Sequence, residues 1–325
     1  MVIAYVMTPL VEPRICGVWG SNMSKSIAYV LRESVRSAVL GGAMSLLALP
    51  VSAAPFFFST GDPDGKIATA SRPGSGFGLE IESADDFVLT DPTSITSATF
   101  TGLVTGTAGS SSIGEVRVEI YRVFPADSNV GRTSGSPTFS TANVPTRVNS
   151  PSDVELDDRD SAASNLSFLT SDLGSFTANN SVRPGGIHPQ PGQTTGGNGP
   201  ITGEEVLFGV TFSTPFSLTA GHYFFVPQVE VTNGNGDFFW LSAPRPIVPP
   251  GTPFPVGSTD LQSWTRDGTI DPDWLRVGTD IIGGSPAPTF NATFSLTGVV
   301  PEPATLALLC VGLAGLGFSR RARAQ

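Results

Sequence analysis

Between Glu115 and Phe124 the chain alternates. Val116, Val118, Ile120 and Phe124 fall in one register, and Glu115, Arg117, Glu119 and Tyr121 fall in the other. Successive side chains of a β-strand point to opposite faces, so this period of two predicts a strand with one buried and one wet face. Shorter runs rich in β-branched and aromatic residues occur at 86–90, 95–104, 206–212, 223–231, 238–241 and 290–296. Gly, Pro and Asn punctuate them, and no long run repeats with helical spacing. Seven to nine short strands between turns predict an all-β fold, an antiparallel sandwich or jelly roll.

Two stretches fit that plan poorly. Residues 125–203 hold few large apolar side chains and many Ser, Asn, Gly, Pro and Asp. They read as a flexible insertion, most of all at 183–203, with 166–173 as the one short element inside it. Residues 244–257 contain six prolines and predict an extended, polyproline-like connection.

Both ends differ in composition from the middle. Lys25, Arg32 and Arg36 precede an apolar stretch from Ala38 to Leu49, and Val51-Ser52-Ala53 follows with small residues. This is the layout of a secretory signal peptide over 1–53, cut after Ala53, with Met23 as the expected true start. At the other end, residues 304–318 form an uncharged apolar run. As a helix it is about 22 Å long, a short transmembrane span. Arg320, Arg321 and Arg323 follow and favour the cytoplasmic side. The expected exported piece, about 54–298, thus lies between two targeting segments.

That piece carries no cysteine, since Cys16 and Cys310 both lie outside it. Disulfides, thiol nucleophiles and Cys-based metal sites are excluded there. Residues 54–300 hold 25 Asp and Glu against 11 Lys and Arg. The negative excess repels phosphates and argues against nucleic acid as a partner.

The tail Pro301-Glu302-Pro303, the apolar run with Gly312, Gly315 and Gly317, and the terminal arginines resemble the PEP-CTERM sorting signal of Gram-negative bacteria. The resemblance implies export by the Sec machinery and recognition by exosortase, a membrane cysteine protease-transpeptidase that cuts near Pro-Glu-Pro. It further implies association with extracellular polysaccharide and biofilm. A looser resemblance, carried by Ala84–Leu89, Ile95–Phe100, Leu218–Tyr223 and Phe239-Trp240, is to β-sandwich domains of exported bacterial proteins. It implies jelly-roll topology and, by analogy only, carbohydrate binding.

Candidate chemistry in the middle is sparse. The two histidines, His188 and His222, sit in polar turn sequence, and no Gly-x-Ser-x-Gly elbow accompanies them, so a Ser-His-Asp triad is not indicated. A carboxylate-dependent hydrolase such as a glycosidase would need two acids across a cleft. Asp85-Asp86, Glu204-Glu205 and the acids near Trp264 and Trp274 are the available pairs, and spacing selects none. Asp62 and Asp64, in an Asp-Pro-Asp-Gly turn, are candidate calcium ligands, and Asp153, Glu155, Asp157, Asp158 and Asp160 form a second acidic cluster that reads as solvated. Trp264 and Trp274, in the polar contexts SWTRDG and PDWLRV, are candidate sugar-stacking residues on a binding rim. The expected role is structural or glycan-binding and non-enzymatic.

Overall fold

The computed structural model describes residues 53–74, 79–107, 109–132, 148–187, 194–232, 236–270 and 273–302. Most of the signal segment, Pro303, the apolar run 304–318, Arg320, Arg321, Arg323 and His188 lie outside the described residues. Among the described residues no helix is long and apolar enough to cross a membrane.

Fifteen strands are described: β1 (Ala54–Ser59), β2 (Ala68–Ala70), β3 (Ile81–Leu89), β4 (Thr93–Val104), β5 (Ile113–Arg122), β6 (Asp157–Asp160), β7 (Leu166–Ala178), β8 (Ser181–Val182), β9 (Ile201–Leu218), β10 (Gly221–Val231), β11 (Phe238–Ala243), β12 (Trp264–Asp267), β13 (Leu275–Arg276), β14 (Asn291–Ala292) and β15 (Phe294–Val300). They form two sheets. The nine-stranded sheet is built on β4, which pairs with β9 along one edge and with β15 and then β11 along the other. The six-stranded sheet runs β13-β12-β3-β10-β5-β6. Every pair is antiparallel except the short β2–β8 ladder, which is parallel. The all-β, two-sheet expectation is met.

The apolar register of each strand faces the space between the sheets. Phe87, Val116, Val118, Ile120, Phe225 and Val229 from one sheet meet Phe100, Phe208, Val210, Phe294 and Leu296 from the other. Phe225 stacks on Phe294 with ring centroids 5.0 Å apart, and Phe100 stacks on Phe208 at 4.8 Å. Burial of such rings is the main favourable term available to a cysteine-free domain.

The insertion over 125–203 is a correction. Strands β6, β7 and β8 lie inside it, and β7 pairs with β9 from Leu166↔Phe212 to Ala178↔Ile201. The sequence signal is weak because β7 is an edge strand with mostly exposed side chains, so backbone pairing rather than apolar burial holds it. Of the expected flexible stretch, 183–187 and 194–203 are described, the first with a short 3-10 turn at Pro184–Gly186 and the second opening β9 with its last residues; residues 188–193 lie outside. The acidic run at 153–160 is also less solvated than expected. β6 pairs with β5, Asp153 and Asp160 are buried, and Arg159 binds Asp157 at 2.7 Å.

β1 pairs with β15 in the register Ala54↔Val300 to Ser59↔Ser295. The residue expected to begin the mature chain therefore sits beside the last strand residue before Pro301. Phe58 anchors the pairing by packing against Phe87, Phe254 and Phe294.

Candidate functional site

The outward register of β5 was expected to be wet, and this too is corrected. Glu119 and Tyr121 are as buried as Val118 and Ile120. Trp264 of β12, which extends the sheet beside β3, joins Leu261 and Trp274 in one apolar cluster with Ala84, Tyr121, Phe224 and Val226 on that side of the sheet. Beside this cluster the same face turns polar, and a cavity of about 280 Å³ opens there.

Its walls come from elements distant in sequence. Glu80 and Glu82 stand at the start of β3, and Arg117, Glu119 and Tyr121 line β5. Asp153, Val154 and Glu155 precede β6, and Arg266 and Gly268 belong to β12 and the turn after it. β10 lies between β3 and β5, but its ladder with β3 stops at Phe225↔Asp85. Beyond that point Ser71 fills the gap. Its hydroxyl donates to Pro227 O at 2.5 Å and accepts from Ser83 N at 3.2 Å, while its carbonyl accepts from Val229 N at 3.2 Å. The strands thus splay at the level of the cavity.

The two arginines behave differently. Arg266 is fully engaged: Nε donates to Glu82 at 2.9 Å, one terminal nitrogen to Tyr121 Oη at 2.9 Å and the other to the Asp153 carbonyl at 3.2 Å. Its guanidinium lies 4.5 Å over the Trp274 ring. Trp274 in turn donates its indole N–H to Ser152 O at 2.9 Å. Arg117 is held loosely. Glu80, Glu115, Glu119 and Asp160 surround it at 3.4–3.7 Å, longer than a close charge-assisted hydrogen bond, and its Nε has no hydrogen-bond partner.

Burial sets the electrostatics. It holds the Glu119 carboxyl well above the usual carboxylate range, with the negative charge of Glu82 adding to the effect. Glu80 is raised by burial and by Glu82, and Glu155 by burial and by Asp158. Gln228 shares this face on β10, directly opposite Arg117. It is wholly buried, and neither atom of its amide makes a well-formed hydrogen bond, although it lies near enough to Glu80 to favour that carboxylate.

The carboxylates named from sequence are dispersed. Asp85 and Asp86 are neighbours on β3 and so point to opposite faces, which rules out joint action across one cleft. Asp85 Oδ2 accepts from Ala292 N at 2.8 Å, and burial, with Asp86 next, raises its carboxyl well above the usual range. Asp86 is pushed up to about 6, mainly by burial, while a 2.5 Å contact to His222 Nε2 works against the rise. His222 is a strand residue paired with Val88 rather than a turn residue. Glu204 accepts from Ser110 N at 2.9 Å on β9, away from the cavity.

The remaining expectations resolve as follows. Trp264 and Trp274 are each 1% exposed, so neither offers an open indole face; the rim expectation is corrected to core packing. Their polar sequence context misleads because Thr265 is buried against Ser83 and Arg266 is stacked on Trp274. Asp64 accepts from Lys66 N at 3.0 Å and Ser242 Oγ at 2.5 Å and pairs with Lys66 Nζ at 2.9 Å, while Asp62 is exposed. Among the described residues no three His, Cys, Asp or Glu side chains converge as a metal ion would require. As a site these residues are illegible in the sequence: Glu155 belongs to the acidic run 153–160, Arg117 and Glu119 to the polar register of β5, and with Glu80, Glu82 and Arg266 they make no local motif. The alternation of β5 was the one available signal, and it was read as solvent exposure.

Pro301 is exposed and follows β15 directly, with Glu302 half-buried behind it. No curated protein and no solved structure matches the chain. A family model, the PEP-CTERM protein-sorting motif, matches residues 299–321. With the sequence Pro301-Glu302-Pro303, of which Pro301 and Glu302 directly follow a folded strand, that match identifies the chain as carrying a PEP-CTERM sorting motif, the mark of an exported precursor processed by exosortase.

Proposed function

We propose that the exported domain serves at the cell surface or in the extracellular matrix as a glycan-binding protein, and that the cavity between β3 and β5 is its binding site. The observation that carries this reading is a charged, solvent-reaching hollow of about 280 Å³ on an otherwise packed sheet face. Sugars present hydroxyl groups that both donate and accept, and carboxylates, guanidiniums and a phenol hydroxyl in one concave site suit them. A neighbouring hollow of about 470 Å³, lined by Asp127, Val154, Glu155 and Leu156, adjoins it across Glu155 and extends the surface along which a chain of sugars can lie. The test is a glycan array probed with the purified protein, with and without calcium. Binding that Arg117→Gln abolishes supports the reading, and binding indifferent to that change removes the cavity from consideration.

One observation favours a second reading, a carboxylate-dependent hydrolase. Burial pushes the Glu119 carboxyl well above the usual carboxylate range while its neighbour Glu82 is ion-paired with Arg266 at 2.9 Å, two environments that differ as an acid and its ionised partner would need. Release of reducing ends from a polysaccharide, lost in Glu119→Gln, would establish it. Absence of release from any bound glycan leaves binding as the function.

A further inference from the structure

A strand at the edge of a sheet leaves a row of backbone N–H and C=O groups without strand partners, and proteins usually blunt such edges against a further strand. Most edges among the described residues are blunted in this way. β8, β13 and β14 are two residues long. β6 is four residues, all charged, and β1 is six residues with Pro55 among them. β7 is the exception. It runs 13 residues, pairs only with β9, and contains no Lys, Arg or Pro. Its single charge, Asp172, and its bulge, between Asp172 and Gly174, come only after the uncharged run from Leu166 to Ser171. The free side of that run is spaced to fit another extended strand.

A second observation lies at the middle of the run. Leu169 is 82% exposed. Its partner on β9 is Gly209, so the adjoining strand offers no side chain directly across from it. The residues around it on the outward face, Ser167, Ser171, Leu207 and Thr211, are small or uncharged. A side chain arriving from beyond the edge is the cover that the fold itself leaves out.

Charge selects the partner. The exported piece holds 25 Asp and Glu against 11 Lys and Arg, so two copies repel over most of their surfaces. Repulsion is weakest where one uncharged run meets the other. A strand that meets its own copy about a two-fold axis runs antiparallel to it, and outward-pointing backbone groups recur at every second residue, so the axis passes through a residue rather than between two. Placed at Leu169, it sets Leu169 against Leu169 and Ser167 against Ser171. The two Asp172 side chains then stand about 20 Å apart along the strands, beyond the screening length of about 10 Å. We propose that the chain self-associates through β7, antiparallel about Leu169, so that the nine-stranded sheet of one copy continues into that of the next. This pairing does not depend on what the cavity binds.

The test is a crosslink across the axis. It uses the full chain in detergent, with Cys16→Ser and Cys310→Ser so that an introduced thiol is the only one. Under mild oxidation Leu169→Cys should give mostly covalent dimer. Ser175→Cys, also exposed on β7 but beyond the bulge, should give at least tenfold less. Equal crosslinking at the two positions overturns the proposal, because contact would then be random collision, and so does the absence of a crosslink at Leu169→Cys. Sedimentation supplies a second readout. Leu169→Lys sets two like charges opposite each other and should weaken self-association at least tenfold with Tm unchanged, since so exposed a side chain makes little core contact. Association as tight as in the parent chain, or a parent chain that stays monomeric up to about 100 μM, overturns the proposal.

Discussion

The two faces of β5 are both largely covered and chemically opposite. Inward, Val116, Val118 and Ile120 pack into an apolar core with rings from both sheets. Outward, Arg117, Glu119 and Tyr121 enter a network of ion pairs and hydrogen bonds that Arg266 of β12 joins. The inner face is stabilised by area removed from water and tolerates imperfect partners. The outer face depends on partners in fixed positions, because a buried charge without one costs several kcal/mol. Alternation along a strand reports which chemistry each face carries. It does not report whether a face meets water.

The sharpest way to break this comparison is to delete one ring inside and one charge outside. Phe225→Ala removes a ring that stacks on Phe294 and touches Phe100 and Trp240, and should cost about 3–5 kcal/mol by denaturant unfolding. Arg266→Met should cost about 3 kcal/mol or more, since it strands Glu82. The two differ in rescue. Adding Glu82→Leu to Arg266→Met should recover most of the loss, because exchanging a whole buried pair for apolar groups is often near neutral. No single partner change should rescue Phe225→Ala. If the double variant stays as unstable as Arg266→Met, the outer face is packed for shape as tightly as the inner one.

Acidity probes the buried carboxyls of both faces. Asp86 binds its proton more tightly when folded, at about 6 against 3.8 for the free group, and Asp85, Glu80, Glu119 and Glu155 shift in the same direction. In the window from about 4 to 6 the folded state therefore holds more protons than the unfolded one. Stability should fall as pH rises through that window and be lower at pH 8 than at pH 5. A difference in Tm on the order of 5 °C is expected. A higher Tm at pH 8 would mean that these carboxyls are better paired than their burial indicates.

The smallest expected effect is at the margin. Lys66→Ala breaks a pair with Asp64 in which the lysine is largely exposed, and should shift stability by less than about 1 kcal/mol. A loss as large as that of Arg266→Met would mean that the 62–66 turn, held by Ser242, is part of the core.

Local pattern carried some elements and missed others for identifiable reasons. β5 and β15 were visible because apolar residues recur at every second position, and β10 because aromatic and β-branched residues run together; the two-sheet fold follows from having many such runs. β7 was invisible because its side chains are mostly exposed, so its sequence had no apolar register to show; its ladder with β9 is made of backbone groups that every residue possesses. Trp264 and Trp274 were misplaced because their neighbours are polar, and those neighbours are polar because they bind Ser83, Glu82 and Asp280.

The amino-acid sequence by itself determined the sorting motif at 299–321, the absence of cysteine from the exported piece and the face chemistry of its strongest strands. These are properties of contiguous residues, written in order along the chain. Only the tertiary structure decided what covers each face. Glu80, Glu82, Arg117, Glu119, Glu155 and Arg266 become one cavity because β3, β5 and β12 share a sheet, β10 parts from β3 at Phe225, and Trp274 packs on Tyr121 beside them. Burial is set by long-range pairing, and a carboxylate's proton affinity is set by burial. The chemistry of this site therefore belongs to the fold rather than to any stretch of the sequence.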